Sequence, residues 1–326
     1  ILKKILYYTV IIESATALIL FTQFAGRFPL KQAIWYSIFH AVSSFCNAGF
    51  STFSDSLISF SGNPVVILTI CTAVILGGIG FIVLTELQYM NRRIDRYFFR
   101  QFSLHTKLVL LTTAILIISG ALLFFLLERN YILSGMGPGE KILACFMQSV
   151  TCRTAGFNSV DTGTLRGSTL AVMMILMFIG GSPGSIAGGI KTTTIAVIAG
   201  MIIAMFRGEK QIKFQDRAIS QDTVHRSMTL FIMSFVFIYI STFLLLSLHS
   251  FDYRHSFLQV VFEVISAFGT VGLSTGITPL FSWDGKLLIS IVMFVGRIGP
   301  FALIAAITEK KKSIQYEIAE ENIMIG

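Results

Sequence analysis

The chain has 326 residues, of which 54% are hydrophobic and only 13% charged, and its mean hydropathy is +0.77. Soluble domains carry about 25% charged residues, so this composition excludes a soluble body that could turn a basic face to nucleic acid. The net charge of +8 then belongs to membrane topology and to contact with acidic lipid.

A crossing helix needs about 20 mostly apolar residues. Six stretches meet that length: 5–26, 64–86, 107–127, 168–206, 227–248 and 286–308. Within each successive pair lies a shorter apolar segment, at 31–45, 139–152 and 254–268. These are too short to cross and suit re-entrant half-helices. Each runs into a variant of one motif, FCNAGFST at 45–52, CRTAGFNS at 152–159 and FGTVGLST at 268–275. The glycines of the three copies, Gly49, Gly156 and Gly272, lie 107 and 116 residues apart. The expected fold is all-α and integral to the membrane, a repeated unit of helix, re-entrant pore helix, filter strand and helix. The units occupy 1–106, 107–226 and 227–326.

Charge gives the orientation. If the loops at 87–106 and 207–226 face the cytoplasm, that side holds 15 of the 25 Lys and Arg residues and the motif side holds seven. Positive residues collect on the cytoplasmic side, which puts the motifs towards the outside. The cysteines (Cys46, Cys71, Cys145, Cys152) form no CxxC pair and are expected to pack as small apolar groups. The histidines (His40, His105, His225, His249, His255) show no metal-ligand spacing.

A dehydrated cation in a membrane needs a cage of oxygens, and backbone carbonyls supply one without a full charge that would trap the ion. Turning carbonyls to an axis demands backbone angles that glycine adopts most readily. The candidate cage is Asn47, Ala48 and Gly49; Thr154, Ala155 and Gly156; and Thr270, Val271 and Gly272. Small or hydroxylated residues follow: Ser51, Thr52, Asn158, Ser159, Ser274 and Thr275. The half-helices would aim their negative C-terminal ends at the ion, and Phe50, Phe157 and Leu273 would wedge the strands against the helices. No strong acid lies within the strands, which argues against a calcium-type carboxylate ring. For a single copy, close packing between helices would explain the glycine equally well; recurrence at one place in three units favours the cage.

The fourth stretch, 168–206, would be about 58 Å long as one helix, against a hydrocarbon core of about 30 Å. Its middle, GGSPGSIAGGIKTTT from Gly180 to Thr194, is rich in breakers, so a broken helix with a mobile intramembrane loop is expected. The candidate gate residues are Gly180, Gly181, Ser182, Pro183, Gly184, Gly188, Gly189 and Lys191, with a passive kink as the alternative. Arg297, in MFVGRIGP at 293–300, is a charge inside the last stretch. Such a charge costs about 2.5 kcal/mol or more and usually faces the interior or a cavity. It stands 25 residues after Gly272, as Gly181 does after Gly156, and reads as a barrier to cations or an anchor for the loop. A snorkelling or salt-bridged arginine is the alternative. Glu13 reads as a packing or pairing residue. Arg153 could reduce cation residence or pair with Asp161, and Asp55 and Asp161 read as mouth charges or as ordinary loop charges. The segments 92–102 and 210–226, and the tail after Lys312, are candidate docking surfaces for a soluble regulator or a second copy of the chain.

Together, the three motifs, GGSPGSIAGGIKTT and MFVGRIGP resemble the Ktr/Trk/HKT superfamily of potassium transporters, and within it the membrane subunit of the bacterial Ktr systems. The resemblance covers the whole chain. It implies a pseudo-fourfold K+ pore with one glycine per filter strand, a gating loop at 180–191 and a constriction arginine at Arg297. It also implies a multi-pass protein of the bacterial plasma membrane, not an enzyme, that forms homodimers with one pore per subunit. A cytosolic RCK-type (KtrA-like) ring on the inner face would carry the regulatory nucleotide. K+ is the implied ion in the filter, with Na+ coupled to its passage or gating it. The family has four units, so a further unit, with one filter strand and two spans, is expected before Ile1. A Na+-permeable member of the superfamily is the first rival. A membrane-embedded enzyme would need catalytic groups clustered at one depth, and a non-conducting scaffold for the ring would bind no ion.

Overall fold

The structure is a computed structural model that describes residues 2–90, 101–209, 211–214, 217–248 and 257–299. Among those residues the elements recur in one order. A long helix, α1 (Leu2–Phe24), leads to a half-helix, α2 (Leu30–Phe45), an extended strand, a 3-10 turn (Ile58–Phe60) and α3 (Pro64–Ile79), which continues as α4 (Phe81–Met90). The second unit runs α5 (Leu104–Glu128), α6 (Pro138–Thr151), a 3-10 turn (Thr162–Thr164), α7 (Gly167–Phe178) and α8 (Thr192–Phe206). A short antiparallel pair, β1 (Lys213–Phe214) and β2 (Arg217–Ala218), precedes the third unit. That unit is α9 (Gln221–Leu248), α10 (Phe257–Gly269), a 3-10 turn (Thr278–Leu280) and α11 (Trp283–Ile298).

Local chemistry sets the starts of these helices. Asn63 Oδ1 accepts the N–H groups of Val65 and Val66 at 3.0 and 3.2 Å, with Pro64 in the first turn of α3. Ser103 caps α5 through the N–H of Thr106, and Ser282 caps α11 through that of Gly285. At α6 the Glu140 carboxylate reaches back to the N–H of Gly137 at 3.3 Å, one half of a capping box. By length and composition α1, α5 and α9 can each cross a membrane. Their outer faces carry exposed Leu18, Ile118, Leu122, Phe235, Tyr239 and Phe243, a surface that suits lipid and not water.

Within the first and third units the three main helices pack on one another, α1 on α2 and α3, and α9 on α10 and α11. Between units, the second span of one unit packs on the half-helix of the next: α3 on α6, and α7 on α10. The half-helix α2 leaves Leu30, Ile34, Trp35, Ile38 and Val42 exposed.

The stretch 64–86, expected as one span, is broken at Gly80, where α3 and α4 meet at 100°. Gly80 has φ +92°, a conformation that side chains strain against, and a Cβ there would lie 2.8 Å from the Pro183 carbonyl oxygen. The same Gly-x-Ile-Gly run ends α11, where Gly299 has φ +90°. The stretch 168–206 is broken as expected, with residues 179–191 outside α7 and α8. The segment 91–100 and the residues beyond Gly299, including the C-terminal tail, lie outside the described residues.

Two glycines fix how closely the spans approach the half-helices. A Cβ on Gly77 would lie 2.0 Å from the Phe45 carbonyl oxygen, and one on Gly296 would lie 1.9 Å from that of Phe268. Both neighbours are backbone at the end of a half-helix and cannot turn aside. Gly77→Ala and Gly296→Ala should each destabilise the purified protein by about 2 kcal/mol, read as a lower thermal midpoint in detergent. Gly135→Ala, where a Cβ meets nothing within 4 Å, should leave the midpoint unchanged.

Candidate functional site

The three motif strands meet at the centre of the described structure. A Cβ on Gly49 would lie 2.3 Å from the Ala155 carbonyl oxygen, and one on Gly156 would lie 2.2 Å from that of Val271. Each carbonyl enters the space that the neighbouring strand's glycine leaves empty. Backbone handedness repeats as well: φ is positive at the glycines (+71°, +79°, +92°) and also two residues earlier, at Asn47 (+48°), Thr154 (+69°) and Thr270 (+50°). Non-glycine residues rarely adopt that conformation, and here three do so at equivalent places. Each strand also has the same strut. Ser43 Oγ donates to the Phe50 carbonyl, Thr151 Oγ1 to that of Phe157 and Ser266 Oγ to that of Leu273, at 2.7, 2.7 and 2.6 Å. The N–H groups of Ala48, Ala155 and Val271 donate back to the carbonyls of Ser43, Thr151 and Ser266.

The second strand is buried throughout Thr154–Phe157, whereas Gly272 is exposed and Gly49 half-buried. Strands one and three thus flank an open side. Phe157 and Leu273 wedge into the interior, whereas Phe50, expected to do the same, is 70% exposed.

Behind the strands each half-helix carries one polar side chain at the corresponding position: His40, Gln148 and Glu263. His40 Nε2 is 3.0 Å from Ser51 Oγ. The Glu263 carboxylate accepts from the hydroxyls of Ser274, Thr275 and Thr278 and from the Thr275 N–H, so it braces the whole return of the third strand. Gln148 is buried with both amide atoms unpartnered. Asp55 and Asp161 are turn residues. Asp55 accepts from the hydroxyl and N–H of Ser59, whose hydrogen bonds hold its carboxyl below the usual range, and Asp161 accepts from the Gly163 N–H at 2.9 Å. Among the described residues no group of three His, Cys, Asp or Glu side chains could hold a metal ion.

Residues 179–191 cross beneath the strands as a tied segment. At its root Ile179 and Ile190 pair, and Thr192 N–H reaches Gly181 O at 3.0 Å. Towards the first unit, Ser182 N–H donates to Gly78 O and Ile186 N–H to Gly77 O, at 3.0 and 3.4 Å, while Gly184 O accepts from Phe81 N–H at 3.1 Å. Towards the third unit, Gly189 N–H donates to Gly296 O at 3.3 Å. A Cβ on Gly188 would lie 2.3 Å from Thr270 Oγ1, and one on Gly180 would lie 1.9 Å from Gly188 O. These glycines let the segment pack against itself and against the third strand. Pro183 lies near its exposed tip at Gly184, and Lys191 Nζ donates to Ala187 O at 2.7 Å.

Arg297 is exposed near the end of α11, within electrostatic reach of Lys191 and of Cys46. It follows Gly296, the residue that holds Gly189. Glu13 lies 3.9 Å from Cys46 Sγ. Arg153 does not meet Asp161. It is buried behind the second strand, with Nη2 donating to Thr113 Oγ1 at 3.3 Å. The i−2 positive-φ residues, the struts and the braces were not anticipated from sequence. A register search for hydroxyls five or six residues before each glycine would have found the struts.

Comparison with known proteins gives a consistent set of relatives. The family described as TrkH, cation transport protein, matches residues 1–316. The chain is 37% identical over 325 residues to the potassium/sodium uptake protein NtpJ of Enterococcus hirae, covering 99% of this chain and 71% of that one. It is 39% identical over 323 residues to the Ktr system potassium uptake protein B of Bacillus subtilis, covering 98% and 70%. The crystal structure of the potassium transporter TrkH from Vibrio parahaemolyticus superposes with a TM-score of 0.73 at 18% identity, over 94% of this chain and 64% of that one. That last likeness concerns the fold, and the chain spans less than two thirds of the solved one.

The struts can be ranked by the burial of their acceptors. Removing a donor leaves a buried carbonyl unpartnered, at a cost of about 1–3 kcal/mol. Thr151→Val and Ser266→Ala should therefore lower the thermal midpoint more than Ser43→Ala, whose acceptor belongs to the exposed Phe50. Equal losses at all three sites would contradict that account.

Proposed function

The chain belongs to the TrkH family of cation transport proteins, and on that footing we propose that it is the pore-forming subunit of a potassium-uptake system in a bacterial plasma membrane. The observation that carries the reading is the strand scheme: a positive-φ residue and a positive-φ glycine two places on in all three strands, with a carbonyl of the next strand in the side-chain space of Gly49 and of Gly156. K+ is bound by carbonyls of Asn47–Gly49, Thr154–Gly156 and Thr270–Gly272, with a fourth strand closing the open side between Gly272 and Gly49. Rings of four neutral oxygens hold a dehydrated K+ firmly enough to enter and weakly enough to leave.

Residues 180–191 are the gate in this reading. Their ties to Gly77, Gly78 and Gly296 hold the segment under the strands, and breaking those ties opens the path. Arg297 stands at the same level and raises the barrier to cations. The subunit pairs as a homodimer, and a nucleotide-binding RCK-type ring docks on the basic inner loops; relatives named as parts of a Ktr system support a multi-component assembly. Na+ is the second candidate ion, favoured by the relative named as a potassium/sodium uptake protein.

The test is K+ uptake by the full-length protein in cells without their own uptake systems. Gly156→Ser puts a side chain 2.2 Å from Val271 O on a residue at φ +79°, so it should raise the KM for K+ about tenfold or more, or abolish uptake. Unchanged uptake would assign the glycines to helix packing. Deleting 181–189 should leave uptake that no longer responds to regulation, and retained regulation would move the gate elsewhere.

A further inference from the structure

The second half-helix ends differently from the other two. The residue just before the i−2 positive-φ position is Cys46 in the first unit, Gly269 in the third and Arg153 in the second. Arg153 is 6% exposed, its Nε has no partner, and among the described residues its guanidinium donates one hydrogen bond, to Thr113 Oγ1. No carboxylate pairs with it among the described residues. Its side chain lines a cavity of about 10 Å³ with Val74, Ile75, Gly78, Ile117 and Val150, room for about one water. A buried cation without a counter-charge is costly, and nothing in its packing requires the charge: its neighbours are mostly apolar, and Thr113 would accept from an uncharged donor equally well.

What the charge does follow is the helix. Arg153 N–H bonds to Val150 O at the C-terminal turn of α6, where the unpaired carbonyls make the helix end negative. In the first and third units that negative end faces the strands without a full positive charge at this position. In the second, the residue at this position is a buried arginine whose guanidinium donates to Thr113 Oγ1 and whose side chain lines the cavity shared with Val150 of that turn.

Resting on the reading of the strands as a cation filter, we infer that Arg153 is a positioning residue for ion affinity: its charge offsets the dipole of α6 and weakens the hold of the second strand on the cation. Of the three strands described, two then attract the ion fully and one attracts it less, which speeds release at the expense of affinity. Glu13, close to Cys46 behind the first strand, adds to the contrast.

The experiment measures K+ uptake against external K+ for full-length wild type, Arg153→Met, Arg153→Gln and Arg153→Lys, with rates normalised to protein in the membrane. Both uncharged variants should show a KM lowered about tenfold, the size of a unit-charge interaction over about 10 Å at an effective dielectric of about 20. Their maximal rate should fall as ions leave more slowly, and Arg153→Lys should stay near wild type. A KM unchanged in the uncharged variants overturns the inference, and so does a lysine variant that shifts with them. Loss of both uncharged variants from the membrane while the lysine variant is retained assigns the charge to folding and overturns it too. A wild type that takes up neither K+ nor Na+ removes the transport reading itself, and this inference with it.

Discussion

Three backbone strands come so close at the centre of this protein that a neighbour's carbonyl fills the space beside Gly49 and beside Gly156, and most of the architecture serves that approach. Backbone polar groups at membrane depth must be satisfied within the protein. Here each half-helix does this for its own strand: a hydroxyl from its last turns takes the carbonyl just beyond the glycine, and a carbonyl from the same residue takes an N–H just before it. Half-helix and strand therefore form one rigid piece. The packing of α3 on α6 and of α7 on α10 then sets the distance between pieces, so the spacing of the strands is a property of helix packing and not of the strands themselves.

The segment 179–191 couples to this arrangement through two glycines. Gly77 lies against the Phe45 carbonyl at the end of one half-helix and accepts Ile186 N–H from the segment; Gly296 does the same for Phe268 and Gly189. A displacement of the segment thus bears on the residues beneath the first and third strands through one backbone contact each. Four hydrogen bonds tie it to the neighbouring units. At about 1 kcal/mol net for each, release costs a few kcal/mol, which lies within the range that a bound partner can shift. The glycines of this segment are sites of close contact, and the bonds that restrain it are few.

How much of this was legible in the sequence follows from which residues have alternatives. Glycine at Gly49, Gly156 and Gly272 is favoured by a positive φ, and at the first two also demanded by backbone contact, so it recurs and can be read. The half-helices and the break at 179–191 were legible for a similar reason, since length and breaker content allow little else. The residues with positive φ two places earlier are Asn, Thr and Thr, types with many other uses, and their conformation leaves no spacing signal. The struts shift from six residues before the glycine to five in the second unit, which hides them from a fixed-register comparison. The bend at Gly80 was missed because 64–86 is apolar throughout and hydropathy does not register a single φ. Arg153 and Arg297 were visible as charges, but only tertiary structure separates a buried arginine behind a strand from an exposed one beside Lys191.

The repeat is thus close to symmetric in its backbone and asymmetric in everything behind it. Among the described residues, His40, Gln148 and Glu263 occupy one position with one, no and four hydrogen bonds to the segment that follows the strand. Duplication would make these alike, and a cage of identical carbonyls does not need them to differ. Differences in this outer layer change how stiffly each strand is held and how much charge stands behind it, without altering the oxygens themselves. An ion at the centre would meet equal ligands on unequal supports. Glu263 fixes the third strand through four acceptor contacts, while the second has a brace with no partner and a bare cation at its root. On the proposed reading of the strands as a cation filter, that makes the second strand the place where affinity can be adjusted at least cost to the geometry of the others.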